Sequence, residues 1–340
     1  MSATHRAWAP GRVNLIGEHT DYTGGLVMPM AIDLGCEIRF ERIAEPMISL
    51  VSADQPDPLT LQLPVAGAGD VMPAWGRYVA GVAEELGAAS GIVGEVSSTV
   101  PLGSGLSSSA ALEVAVALAL GATGSDVELA EICRAAERRA SGVPCGIMDQ
   151  LASVAGVAGH ALLIDCGKLT VEPVPVPVDC SVVVIHSGQH RDLAGSAYNE
   201  RVEQCARAEV LIGPLRSAAS DAWRRIEDPT VAARARHVLS ENGRVRRFAT
   251  ALAADDLGLA GSLMVQSHRS LRDDFDVSTP ALDELVERLV ATPGVHGARL
   301  TGAGFGGCVV GLCDAGVDPR PDGFLGWIVH ASAGAFVEPL

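Results

Sequence analysis

The chemistry in this sequence is concentrated in a few short stretches. One is PLGSGLSSSAA, Pro101 to Ala111, which sets Gly103 and Gly105 among Ser104, Ser107, Ser108 and Ser109, with Leu106 between them. Glycines let a backbone turn until several N–H groups point at one spot. The apolar run AALEVAVALAL follows directly and reads as a helix. Its start adds unpaired N–H groups and the positive end of a dipole. Together they make an anion site, and a triphosphate is the obvious anion. The same residues would also serve as a serine-rich turn capping a buried helix.

A second stretch is GEHTDYTGG, Gly17 to Gly25, in which Glu18, His19 and Asp21 lie within four positions. Each carboxylate accepts several hydrogen bonds, which suits neighbouring hydroxyls of a polyol. A metal cage would need further ligands converging from elsewhere in the chain. A capped, solvated loop is the plainer alternative. Just ahead of it, Arg12 to Ile16 alternates as a strand does, with Arg12 and Asn14 on one side and Val13 and Leu15 on the other. That arginine could face an anionic or polar ligand, or the open side of an edge strand. A third stretch, CGIMDQLASVAG, puts Asp149 near a helix start, where the dipole favours negative charge.

These stretches must be held by ordinary elements. Leu26 to Ile32 reads as a strand broken or edged by Pro29. Strands are expected within Glu37 to Leu63, and a helix over Trp75 to Leu86. The strand Glu95 to Val100 feeds the glycine-serine loop. Ser125 with Glu128 forms a capping box ahead of another helix, which Gly142 and Pro144 end. Ala161 to Asp165 is a strand, and Pro173, Pro175 and Pro177 then remove alternate backbone donors, so that stretch is an extended edge or crossover. We place the domain boundary there, giving 1–172 and 173–340. Ser181 to Ile185 reads as a strand and Ser196 to Ile212 as a helix with Tyr198 in its first turn. Asp228–Pro229 and Thr279–Pro280 each open a helix. Strands Ala298 to Thr301 and CVVGLC flank GAGFGG.

Gly302, Gly304 and Gly307 satisfy the dinucleotide pattern GxGxxG, but that motif needs a helix after the turn. Here Cys308, Val309 and Val310 continue as a strand, so the expectation is a hairpin and not a nucleotide-binding βα unit.

Composition narrows the class. A length of 340 residues suits two domains. The formal charge of −16, without a basic run, excludes an ordinary nucleic-acid binder. The first residues lack a signal-peptide core, and the best apolar run, from Ala110, contains Glu113, so no membrane span is expected. Eight cysteines without a CxxC pair read as small core residues in a reduced, cytoplasmic setting.

Three separated motifs resemble one family. APGRVNLIGEHTDYTGGLVMPMAI is similar to the galactokinase signature. PLGSGLSSSAAL and LTGAGFGGCVVGL resemble the second and third motifs of the superfamily of galactose, homoserine, mevalonate and phosphomevalonate kinases (GHMP). CGIMDQ, HALLIDC, SAYNER, HVLSENGR and SHRSLRDDF also look like galactokinase landmarks, in the family's order. The resemblance implies an α/β (α+β) fold of two domains with the active site in the cleft between them. It implies ATP-dependent phosphorylation of galactose at its anomeric hydroxyl, with ATP and Mg2+ bound. Arg12 and Asp149 would be the catalytic pair. Glu18, His19, Asp21, Gly146 and Tyr198 would hold the sugar, and Gly103 to Ser109 the phosphates. Ser109 and Glu137 match the magnesium positions, and Trp75 and Tyr78 the adenine contacts. A kinase for N-acetylgalactosamine, arabinose or galacturonate, or a sugar sensor without catalysis, are the rival readings. The chain departs from the family after CVVGLC, where DAGVDPRPDGFLGW replaces a helix. Pro319, Pro321 and Gly323 oppose helix formation there, which leaves the cover of the last sheet open.

Overall fold

Alternation builds the first sheet. Cys36, Ile38 and Phe40 point inward while Glu37, Arg39 and Glu41 point out, the pattern of a sheet covered on one face. The computed structural model describes residues 3–101, 103–189 and 195–340, so Leu102 of the serine loop lies outside the described residues.

In chain order the first half runs β1 (His5–Asn14), β2 (Leu26–Val27), β3 (Pro29–Ile43), β4 (Met47–Ser52), β5 (Leu59–Gln62), α1 (Gly76–Leu86), β6 (Gly91–Ser98), α2 (Ser108–Ala119), α3 (Asp126–Ser141), α4 (Met148–Ala155), β7 (His160–Asp165) and β8 (Thr170–Pro175). The second runs β9 (Cys180–His186), α5 (Gly195–Ile212), α6 (Pro229–Ala253), α7 (Leu257–Asp273), α8 (Pro280–Val290), β10 (Val295–Thr301), β11 (Cys308–Asp314), β12 (Gly326–Val329) and β13 (Phe336–Pro339).

Three sheets result: β13-β1-β3-β6-β4-β5, β10-β11-β9-β12 and β2-β7-β8. The first packs its inner face on α1, α2 and α3. Val27, Leu162 and Ile164 of the small sheet meet Met148, Leu151 and Ala152 of α4. The sheet of the second half is buried on both faces. Val183, Ile185 and Val309 face α5, α6 and α8. Val182, Val184 and Val310 instead share a core with Val13, Leu15 and Met28 of the first half. That common core fixes the two halves against each other just beneath the site.

β1 lies between β3 and β13 over His5–Trp8, and farther along the Arg12 N–H donates to the Leu106 carbonyl at 3.1 Å, so the buried Arg12 does not stand on a solvated edge. β8 pairs with β7 from His160↔Pro175 to Asp165↔Thr170, and the expected boundary at 172 falls within it. Gly302 to Gly307 joins β10 to β11 as an antiparallel hairpin, with Thr301 opposite Cys308. The capping box of α3 forms, and Asp228 and Thr279 cap α6 and α8. Between β11 and β12 there is no helix. Val317 and Phe324 tuck against the core instead, and Arg320 braces the strap by pairing with Asp318 and donating to the Gly326 carbonyl at 3.1 Å. Six of the eight cysteines are buried. Among the described residues no helix is long and apolar enough to cross a membrane.

Helix α7 crosses β10 at backbone contact. A Cβ on Gly261 would collide with the His296 carbonyl, and one on Gly297 with the Gly261 carbonyl. Neither neighbour is a flexible tip that could swing away. Gly261→Ala is therefore expected to cost about 1–3 kcal/mol, read as a lower denaturant midpoint at unchanged slope.

Candidate active site

The register of β1 against β3 shifts between Pro10 and Arg12, an irregularity of the kind that re-aims a side chain. Arg12 Nε donates to Asp149 Oδ1 at 2.8 Å and Nη2 to Oδ2 at 2.7 Å. Such a fork fixes a carboxylate in position and plane. The remaining nitrogen, Nη1, donates to the Gly105 carbonyl at 2.6 Å. One strand residue thus ties the first turn of α4 to the loop ahead of α2. Burial opposes the Arg12 charge, but Asp149, Glu18 and Asp21 outweigh it and its pKa is raised.

Ser107, the N-cap of α2, has a φ of 61°, a left-handed backbone that non-glycine residues seldom adopt. Its Oγ donates to Asp149 Oδ2 at 2.5 Å. Gly103, Gly105, Ser107, Ser108 and Ser109 line a cavity of about 510 Å³ that also holds Arg12 and Asp149. Ser104 and Leu106 are absent from that lining and shape the loop from behind. Ser104 Oγ donates to the Pro101 carbonyl at 2.6 Å, and the Leu106 side chain is buried in the shared core.

Ser109 and Glu137 meet beside the loop, with Ser109 Oγ donating to Glu137 Oε1 at 3.0 Å. Burial and the Asp149 charge raise the Glu137 pKa, against hydrogen bonds from Ser109 and Gln150 that lower it. Tyr78 lines the cavity, whereas Trp75 packs on the first core and donates Nε1 to the Asp57 carbonyl at 3.2 Å.

Across the cavity stand Glu18, His19, Asp21, Gly146 and Tyr198. Glu18 Oε1 accepts from the Gly302 N–H at 2.6 Å and Thr301 Oγ1 at 3.2 Å, with Arg299 Nη1 at 3.5 Å. His19 Nε2 lies 3.0 Å from the Ala303 carbonyl, which can only accept, so Nε2 carries the proton and Nδ1 accepts from the Tyr22 hydroxyl at 3.1 Å. Burial pushes the His19 pKa down to about 3, so the ring is neutral. Asp21 abuts Gly146 so closely that a Cβ there would overlap its carboxylate. Burial, and then the Asp149 charge, push the Asp21 pKa up to about 7.

The second half holds this loop from beneath. Glu241 on α6 accepts from the Gly17 N–H at 3.0 Å, and Asn242 from the Leu26 N–H at 2.8 Å. His237 Nε2 donates to the Glu18 carbonyl at 3.1 Å. Sequence reasoning missed these supports, together with Ser107 as a partner of Asp149. The landmark HVLSENGR contains His237, Glu241 and Asn242, but nothing in it says which backbone groups they hold. A concavity of about 480 Å³ on the open face of the first sheet, lined by Glu37, Arg39 and Glu95, gathers no comparable group.

The model of the galactokinase galactose-binding signature matches residues 2–41, and those of the GHMP kinase N-terminal and C-terminal domains match 77–157 and 248–319. The galactokinase of Homo sapiens is 43% identical over 330 residues, covering 92% of this chain and 84% of that protein. This chain belongs to the galactokinase family. The galactokinase of Chloroflexus aurantiacus is 44% identical, covering 99% of this chain and 91% of that one. The Lactococcus lactis galactokinase complexed with galactose superposes with a TM-score of 0.90 at 31% identity, covering 98% of this chain and 95% of that one. A mevalonate kinase, at TM-score 0.68 and 20% identity, shares the fold. The enzyme is accordingly a kinase that phosphorylates galactose, and the family uses ATP.

Two outcomes follow from Asp21. Gly146→Ala must displace its carboxylate, so the galactose KM should rise at least tenfold, about 1.4 kcal/mol, while the ATP KM stays within about twofold; initial rates against each substrate check this. Second, between 3.8 and about 7 the folded chain keeps a proton on Asp21 that the unfolded chain has lost. Stability from this group is complete at the acid end, falls as pH rises through that window and levels off above about 7. Sugar-free melting curves should show Asp21→Asn gaining on wild type up to about pH 7.

Proposed function

We propose that this enzyme transfers the γ-phosphoryl group of ATP to the anomeric hydroxyl of galactose, with Arg12 and Asp149 at the reacting centre. The forked Arg12–Asp149 pair, set between the serine loop and the loop of Glu18 and Asp21, carries the reading. The loop of Gly103, Gly105 and Ser107–Ser109, ending at the start of α2, takes the phosphates through N–H groups and hydroxyls. Tyr78 takes the edge of the nucleotide, and Trp75 supports the neighbouring helix. Glu18 and Asp21 accept from sugar hydroxyls, the neutral His19 fixes the wall they stand on, and Tyr198 closes the far side. Gly146 leaves room for Asp21.

Asp149 orients the anomeric hydroxyl towards the phosphoryl group. Phosphoryl transfer rests on positioning and electrostatic stabilisation, so no strong base is needed. Asp149 takes the proton late, when bonding to phosphorus has made that oxygen acidic. Arg12 holds the carboxylate in plane, and its charge offsets the charge gathering on the transferred group.

Ser109 and Glu137 fit a magnesium ion by their donor chemistry, a hydroxyl and a carboxylate side by side. Among the described residues no group of three or more His, Cys, Asp or Glu side chains could hold a metal by itself. Magnesium commonly takes one or two protein oxygens and completes its shell with phosphates and water. Bound there, it would neutralise phosphate charge.

Asp149→Asn separates this mechanism from a merely structural ion pair. The expected variant is folded, binds ATP and galactose, and turns over roughly a hundredfold or more slowly. A folded, galactose-binding variant within about tenfold of wild type, a barrier change of about 1.4 kcal/mol, would refute the mechanism.

A further inference from the structure

Behind Ser109 and Glu137 lie two polar side chains that the reaction has not used. Glu113 on α2 and Gln150 on α4 are both 0% exposed. Glu113 is the lone ionisable residue between Ala110 and Leu120, on a helix that otherwise buries only alanine and valine. A buried carboxyl in such a place is costly unless another group is bound to it.

That group is the Gln150 amide. Gln150 Nε2 donates to Glu113 Oε2 at 3.0 Å and to Glu137 Oε2 at 2.5 Å. Its two hydrogens are therefore both committed. The reverse orientation would set the amide oxygen against the acceptor oxygens of the two carboxyl groups, so ionised partners select the orientation in which Nε2 faces them. Among the described residues neither Gln150 Oε1 nor Glu113 Oε1 has a partner. The arrangement thus leaves two buried acceptors unpaired while securing one oxygen of Glu137. Glu137 Oε1 is left to face Ser109. Because Gln150 follows Asp149 on the same helical turn, the carboxylate of the reacting centre and the clamp on Glu137 are set by one piece of backbone.

We propose that Glu113 and Gln150 are positioning residues for the cation. Glu113 locks the Gln150 amide, and that amide holds Glu137 Oε2 so that Oε1 and Ser109 Oγ converge. The inference rests on the reading of Ser109 and Glu137 as the magnesium ligands.

Mn2+ is the probe, since it takes the same hard oxygen donors as Mg2+ and its free ion is countable by electron paramagnetic resonance. Gln150→Leu keeps most of the volume and removes both donors. Its Mn2+ affinity in the presence of ADP should fall about tenfold or more, the usual effect of removing a group that orients a ligand. The magnesium concentration for half-maximal rate should rise by the same factor, with galactose KM within about twofold. Glu113→Leu should behave alike, while Glu113→Gln, which still offers an oxygen to the Gln150 amide, should keep Mn2+ affinity within about threefold of wild type. Should Gln150→Leu not accumulate folded, Gln150→Met serves the same purpose. Folded Leu variants that bind Mn2+ with ADP as wild type does would overturn the positioning role, provided Glu137→Gln weakens the ion. If Glu137→Gln also leaves the ion unmoved, the ligand assignment itself fails and this inference falls with it.

Discussion

The buried Arg12 guanidinium sits among more carboxyl groups than it can neutralise by itself. Arg12 binds Asp149 directly, feels Glu18 and Asp21, and bears on Glu137. Charges removed from water must be compensated close by or give up their ionisation. The site does both. Asp149 is compensated by the fork and by Ser107, and Glu18 by Arg299, the Thr301 hydroxyl and the Gly302 N–H, whereas Asp21 and Glu137 are pushed towards their neutral forms. Hydroxyl donors from a sugar and a divalent ion beside the phosphates would answer those two deficits.

Compensation on the sugar side comes from the distant half of the chain. The backbone of the Gly17–Gly25 loop is gripped by His237, Glu241 and Asn242 on α6. Burial alone would raise the Glu241 pKa. Arg244, His237 and Arg299, with a bond from Ser267, overcome it and bring the pKa down to about 2. Glu241 therefore stays charged and keeps its grip across the neutral range. The loop belongs by sequence to one half, yet backbone groups of Gly17, Glu18 and Leu26 are held by side chains of the other.

What could be read from the sequence follows from locality. The glycine-serine loop, the capping devices of α3, α6 and α8, and the hairpin after Thr301 depend on neighbours a few positions away, and each is visible in the order of residues. The family motifs carried the fold and the activity. Gln150 and Glu113 escaped because an apolar helix with one acid, and an amide next to an aspartate, have no periodic or spacing signal. Their meaning arises only when α2, α3 and α4 are packed. Ser107 escaped for a different reason: nothing in a row of three serines says which one turns left-handed and reaches Asp149. Trp75, matched to the adenine contacts by resemblance, is partly buried against the first core and lies outside the cavity lining.

The last strand of the fold lies beside the first. β13 pairs with β1 from His5↔Pro339 to Trp8↔Phe336, on the edge opposite β5. During synthesis, β1 leaves the ribosome more than three hundred residues before its neighbour exists. Its free edge must stay unpaired for that whole interval, at a translation rate of about 5–20 residues per second. An unpaired edge is a template for pairing with another chain. The nascent first half is therefore exposed to misassociation until the C-terminal strand arrives to cover it. Truncation at the far end would uncover His5–Trp8 of β1, so damage more than three hundred positions away in sequence would be felt on the strand that carries Arg12.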